Sequence, residues 1–116
     1  MINFNIRYLR NHDSLERVLD NLATKEIKST FLIVSDWDEV CKNLLKTLES
    51  MSDKDPVATR DVFVVSTWDT PDGTQMMREA LDIKSKLTRV PTLVTVKDNN
   101  VQVHLNNGDI YRELGL

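Results

Sequence analysis

The sequence predicts an α/β protein of three layers, with helices on both faces of a mixed sheet of about five strands, in the order β-α-β-α-β-α-β-β-α. Three observations predict it. Phe31-Leu32-Ile33-Val34 and Val62-Phe63-Val64-Val65 are apolar, short and largely β-branched, which is the pattern of strands buried on both faces. Stretches with apolar residues at helical spacing alternate with such runs, so three β-α units stand in series and imply parallel strands. The tail then changes character, with two strand-like runs joined by asparagines, and such a hairpin adds antiparallel pairing. Parallel units followed by a hairpin make the sheet mixed.

Ile2, Phe4, Ile6 and Tyr8 alternate with polar neighbours, so residues 2–9 read as the first strand. Asp13-Ser14-Leu15-Glu16 has the form of an N-cap with a capping-box glutamate, and Leu15, Val18, Leu19 and Leu22 give the helix behind it an apolar stripe. A polar link from Ala23 to Thr30 leads to the strand at Phe31–Ser35. Asp36 is the expected cap of the next helix, with Asp38 and Glu39 in its first turn. Val40, Leu44, Leu48 and Met51 form its expected buried stripe, with Cys41 and Leu45 on the flank. Met51 to Pro56 is loop chemistry. After the strand at Val62–Val65, Thr70-Pro71 reads as N-cap and first helical residue, and Met76, Met77, Ala80, Leu81, Ile83 and Leu87 mark the helix. Thr92–Val96 and Val101–Leu105 are the hairpin strands around Asp98-Asn99-Asn100. Asp109 is positioned to cap a last helix through Ile110, Tyr111 and Leu114.

The 116 residues fit one domain, residues 1–116, large enough to bury a core. A net charge of −3 with scattered Lys and Arg argues against nucleic acid as a partner. No apolar run reaches the length of a membrane span, so no membrane partner is expected. Met1-Ile2-Asn3-Phe4-Asn5 lacks the basic and apolar regions of a signal peptide, and a lone cysteine forms no internal disulfide, so a reducing, cytoplasmic setting is expected. Oligomeric state is left open.

Few residues suggest chemistry. His12 and His104 lie in no ligand pattern, and Gly73, Gly108 and Gly115 form no phosphate-cradling loop, so no cofactor is expected. Asp36, Asp38, Glu39, Asp69 and Asp72 match no metal loop; acids at helix starts account for most of them, so no metal is expected, and an oxygen-ligand site for Mg²⁺ or Ca²⁺ at Asp36, Asp38 and Asp69 is the weaker, third reading. Trp37 and Trp68 each sit in a Ser-x-Trp-Asp phrase after a buried strand. Tryptophan at such an edge is either core packing or a binding platform.

The element order, together with two local motifs, resembles the thioredoxin family. Where that family runs from a strand into Trp-Cys-Gly-Pro-Cys-Lys, this chain reads Trp37-Asp38-Glu39-Val40-Cys41-Lys42. Where the family carries a cis-proline in Val-Pro-Thr, this chain reads Val90-Pro91-Thr92 after Arg89. The resemblance covers essentially the whole chain. It implies a thioredoxin fold, a cis Pro91, and a groove in which the backbone of Val90 pairs with an extended peptide, a form of strand addition.

The departures from the family bear on function. Asp38 stands at the place of the attacking cysteine, Cys41 at that of the resolving one, and Leu32 where many members bury a carboxylate. A dithiol reductant needs one sulfur to form the mixed disulfide and one to release it. This chain has one, behind two acids that disfavour its thiolate. The reading is therefore a thioredoxin-like protein without dithiol redox activity, a binding or adaptor module for a protein or extended peptide at Trp37, Asp38, Trp68, Val90 and Pro91. The alternative is an enzyme, a monothiol thiol-disulfide oxidoreductase with Cys41 as its catalytic residue.

Overall fold

The computed structural model describes residues 3–21, 29–51, 59–83, 90–97 and 100–116. The chain runs β1 (Asn3–Leu9), α1 (His12–Asn21), β2 (Ser29–Val34), α2 (Glu39–Ser50), β3 (Thr59–Ser66), α3 (Gly73–Ala80), β4 (Thr92–Lys97), β5 (Asn100–His104) and α4 (Asn107–Leu114). The strands form one mixed sheet in the order β1-β3-β2-β4-β5. β1, β3 and β2 are parallel; β4 is antiparallel to β2, and β5 to β4. The predicted α/β class and mixed five-stranded sheet are thus what the chain forms.

The apolar runs of β2 and β3 occupy the middle of this sheet because both of their faces are covered. On one face Phe4, Leu32, Val34, Val62, Val64 and Leu93 pack with Cys41, Leu44 and Leu48 of α2 and Ile110 and Leu114 of α4. On the other, Phe31, Ile33, Phe63, Val65, Val94 and Val96 pack with Leu15 and Leu19 of α1 and Met77 of α3. The two faces divide by residue parity along each strand, as the pleat requires. Phe31 and Phe63 stack at 5.4 Å between ring centroids, across neighbouring strands. β1 lies at the sheet edge and keeps polar Asn5 and Arg7 outside, where both reach Asp61 on β3, at 2.9 and 3.9 Å.

Element boundaries depart from the sequence reading in particular places. β2 begins at Ser29 rather than Phe31, because Ser29 and Thr30 pair across to Val96 and Thr95 and are buried there. α1 is capped by Asn11, not Asp13. The Asn11 side chain accepts from Ser14 N at 2.8 Å, and the Ser14 hydroxyl oxygen accepts from Asn11 N at 3.4 Å. That reciprocal pair starts the helix earlier and leaves Asp13 in its first turn. Thr70 does not cap α3: its hydroxyl donates back to Ser66 O at 2.9 Å, and the helix starts at Gly73. A Cβ at Gly73 would stand 3.0 Å from both Thr70 Oγ1 and Val65 Cγ1, so the missing side chain is what lets the helix start this close to β3. α4 is capped by Asn106, which accepts from Gly108 N at 2.8 Å; Asp109 lies inside the first turn, 3.4 Å from Arg112. β5 spans Asn100–His104, one residue earlier than the sequence reading. The expected positions Ile2, Leu22, Leu87 and Asp98-Asn99 lie outside the described residues.

Candidate functional site

β2 and β3 end side by side, with Val34 opposite Ser66, and each runs into a Ser-x-Trp-Asp turn. Thr67 N donates to Val34 O at 3.0 Å and ties the two turns together. The Ser66 hydroxyl donates to Asp36 at 3.2 Å and accepts from Trp68 N at 3.2 Å, so one side chain joins the first turn to the second. On the first turn, Asp38 N donates to Ser35 O at 3.3 Å and Trp37 N to the Ser35 hydroxyl at 3.4 Å. With backbone and polar groups satisfied below, both indoles are left outside. Trp37 is 76% exposed and Trp68 67%, and their rings meet edge to face at 6.1 Å and 86°. Such pairs contribute about 0.5–1.5 kcal/mol beyond area burial when well buried, and less at this exposure.

The acids around them are held individually. Asp69 is 3.5 Å from Arg10, whose guanidinium also lies 4.8 Å over the Tyr8 ring. Glu39 is 3.5 Å from Lys42 one turn along α2. Asp38, not Asp36, caps α2: its carboxylate accepts from Cys41 N at 3.0 Å and its carbonyl from Lys42 N at 3.0 Å. The cap belongs to Asp38 because its backbone is extended, at φ −90° and ψ 125°, while Asp36 is turned back to Ser66. Among the described residues no three His, Cys, Asp or Glu side chains converge to hold an ion.

Shifting the helix start to Glu39 goes with a rotated buried stripe. Cys41, Leu44 and Leu48 are fully buried, and Val40, expected inside, is 38% exposed. Cys41 therefore lies in the core face of α2 rather than on its flank. Burial pushes its thiol up to about 11; a backbone hydrogen bond at Ser35 pulls it back in part, and the charges of Asp38 and Asp36 push it the same way as burial. The thiol is thus both covered and protonated at neutral pH.

The third strand reaching this end is β4. Ile33–Thr92 is the last pair of that antiparallel ladder, so Pro91 and Val90 precede β4 at the end of the sheet where β2 runs into the first turn. The Val90–Pro91 peptide bond is cis. Pro91 is buried, and Val90 is half-buried against the core clusters of both faces.

No protein-family model matches the sequence, and neither does any curated protein. Solved structures do match in three dimensions. Thioredoxin from Fasciola hepatica superposes with a TM-score of 0.64 at 16% identity, over 94% of this chain and 96% of that one. Thioredoxin O1 from Arabidopsis thaliana in its oxidised state gives 0.65 at 15%, over 94% and 93%. Thioredoxin from Trypanosoma brucei brucei gives 0.64 at 11%, over 96% and 88%. This is the thioredoxin fold.

At these identities the likeness is one of fold. On that fold Trp37, Asp38, Trp68, Val90 and Pro91 are brought to one end of the sheet, where β2, β3 and β4 meet. Cys41 lies on α2 behind them, inside the core. Sequence reading missed Ser66, whose hydroxyl links the two turns. The repeated Ser-x-Trp-Asp phrase was the available signal, since its serine stands at the same place in each turn.

Proposed function

We propose that this thioredoxin-fold chain is a binding module that has lost dithiol chemistry, and that it takes a protein segment or extended peptide across Trp37, Asp38, Trp68 and the Val90–Pro91 edge. One contrast carries the reading: the lone thiol is fully buried, while the chain's two tryptophans stand largely exposed and in contact with each other. A reductant of this kind presents sulfur. This surface presents indole, the side chain most enriched at binding hot spots. Asp38 stands at the helix start, where the resemblance puts an attacking sulfur, and its carboxylate is engaged as a cap.

The competing reading is a monothiol oxidoreductase acting through Cys41. The likeness to solved thioredoxins supports it. The burial of the thiol, and the rise in its pKa that burial causes, count against it. The single cysteine favours a reducing, cytoplasmic setting for either reading.

The experiment is selection from a random heptapeptide display library on the wild-type chain, with the Trp37→Ala, Trp68→Ala double variant as counter-target. Enrichment that the double variant loses is the expected result. Enrichment equal on both chains, or none on either, overturns the binding reading. Insulin-disulfide reduction with dithiothreitol as electron donor is expected to run at the uncatalysed rate, and turnover typical of a thioredoxin would overturn the loss of dithiol chemistry.

A further inference from the structure

We infer that the occupant of the Trp37–Trp68 surface is an extended peptide carrying arginine, its guanidinium set against the indoles and facing Asp36 and Asp38. The inference rests on the binding reading above and adds the chemistry of the partner. Three features carry it.

The first is the ring arrangement. Two indoles at 86°, both mostly exposed, form a corner with π surface open to solvent. Tryptophan is the best aromatic partner for a cation, and a planar guanidinium both stacks on a ring and keeps its N–H donors free for carboxylates. The second is the charge around that corner. Asp36, Asp38, Glu39 and Asp69 all lie in or next to the two turns. Arg10 answers Asp69 and Lys42 answers Glu39, each at 3.5 Å. Asp36 accepts from the Ser66 hydroxyl and Asp38 from the Cys41 amide; among the described residues no cation pairs with either. Among the described residues, two carboxylates beside an exposed aromatic pair are therefore held by hydrogen bonds alone, with no cationic side chain on either. An acidic segment would be repelled there, and a neutral one would gain from the rings alone. The third is a precedent within the chain: Arg10 lies over the Tyr8 ring and reaches Asp69 at once, the same combination of guanidinium, ring and carboxylate.

The test uses the protein's own signal, since Trp37 and Trp68 are its only tryptophans. Tryptophan emission is titrated with a blocked pentapeptide, acetyl-Thr-Arg-Val-Arg-Thr-amide, and with its citrulline analogue, which keeps size and hydrogen bonding but not charge. The arginine peptide is expected to bind about tenfold more tightly than the citrulline peptide, the order set by a cation–π contact together with carboxylate attraction. That advantage shrinks severalfold between about 10 and 150 mM salt. Asp36→Asn with Asp38→Asn, which keep the acceptors of Ser66 and the Cys41 amide, should reduce the preference for arginine to within twofold. Equal affinity for the two peptides overturns the inference and leaves the binding reading standing. Display-selected peptides that need both tryptophans but lack basic residues do the same. An emission change that follows protein concentration alone, with sedimentation at twice the monomer mass, would put a second copy on this surface and overturn the inference as well.

Discussion

Cys41 offers the sharpest separation between a buried structural thiol and a working one. The perturbation is a thiol-reactive dye added to native protein at about pH 7.5, in parallel with protein unfolded in urea. Two routes to modification exist. Direct attack in the native state needs thiolate, and moving the thiol pKa from 9.0 to about 11 lowers the thiolate population about a hundredfold at neutral pH. That factor is burial acting on the charge of the thiolate; the same cover also keeps the dye from the sulfur, since the side chain is fully buried. The second route is opening of the fold around α2. Cys41 packs with Leu44, Leu48 and the core strands, so opening there approaches global unfolding. At the low end of domain stabilities, about 5 kcal/mol, the open population is roughly 10⁻³ to 10⁻⁴. The two routes run in parallel, so the faster one sets the result: labelling at least about a hundredfold slower than in urea, and about 10³- to 10⁴-fold slower where cover closes the direct route, with a rate that climbs with denaturant as the open population grows. Native labelling within about tenfold of the unfolded rate would refute the buried-thiol argument and favour the monothiol enzyme.

Three further outcomes follow from the same geometry. Asp38→Ala should destabilise the fold by about 1 kcal/mol, through loss of the bond to the Cys41 amide and of a carboxylate at the start of α2; Asp36→Ala should cost less, and the opposite ranking in urea midpoints would return the cap to Asp36. Stability should fall as pH rises from about 9 through 11, because the unfolded Cys41 thiol ionises before the folded one, and again from about 10 through 12 as Tyr8, held up by burial and its bond to Glu49, follows the same sign; a Cys41→Ala chain that keeps the whole lower step in pH-dependent urea unfolding would contradict this. The Trp37→Ala, Trp68→Ala variant should stay within about 1 kcal/mol of wild type by circular dichroism, since both rings are mostly exposed; a loss of several kcal/mol would mean that the pair serves the fold.

Helix starts show where a linear reading falters. Asp13, Asp36, Thr70 and Asp109 all have the right chemistry for a cap, yet Asn11, Asp38 and Asn106 make the bonds at three of those helices and no side chain makes one at the fourth. A cap is chosen by which residue holds extended backbone with its oxygen over the free amides, and that depends on how the preceding strand delivers the chain. The move of the α2 start from Asp36 to Asp38 was small in sequence. It went with a stripe in which Val40 is turned out and Cys41 in, which changed the standing of the only thiol.

The amino-acid order alone determined the α/β class, the two central strands and the late hairpin, because apolar period and turn chemistry are local properties that survive without knowledge of neighbours. It also supplied the lone cysteine and the twin Ser-x-Trp-Asp phrases. Tertiary structure decided that β4 lies antiparallel beside β2, that the two phrases end neighbouring strands and share the Ser66 hydroxyl, and that the indoles face solvent while the sulfur does not. Those are matters of strand order and helix rotation, set by packing between residues some thirty or more positions apart, and no local pattern contains them.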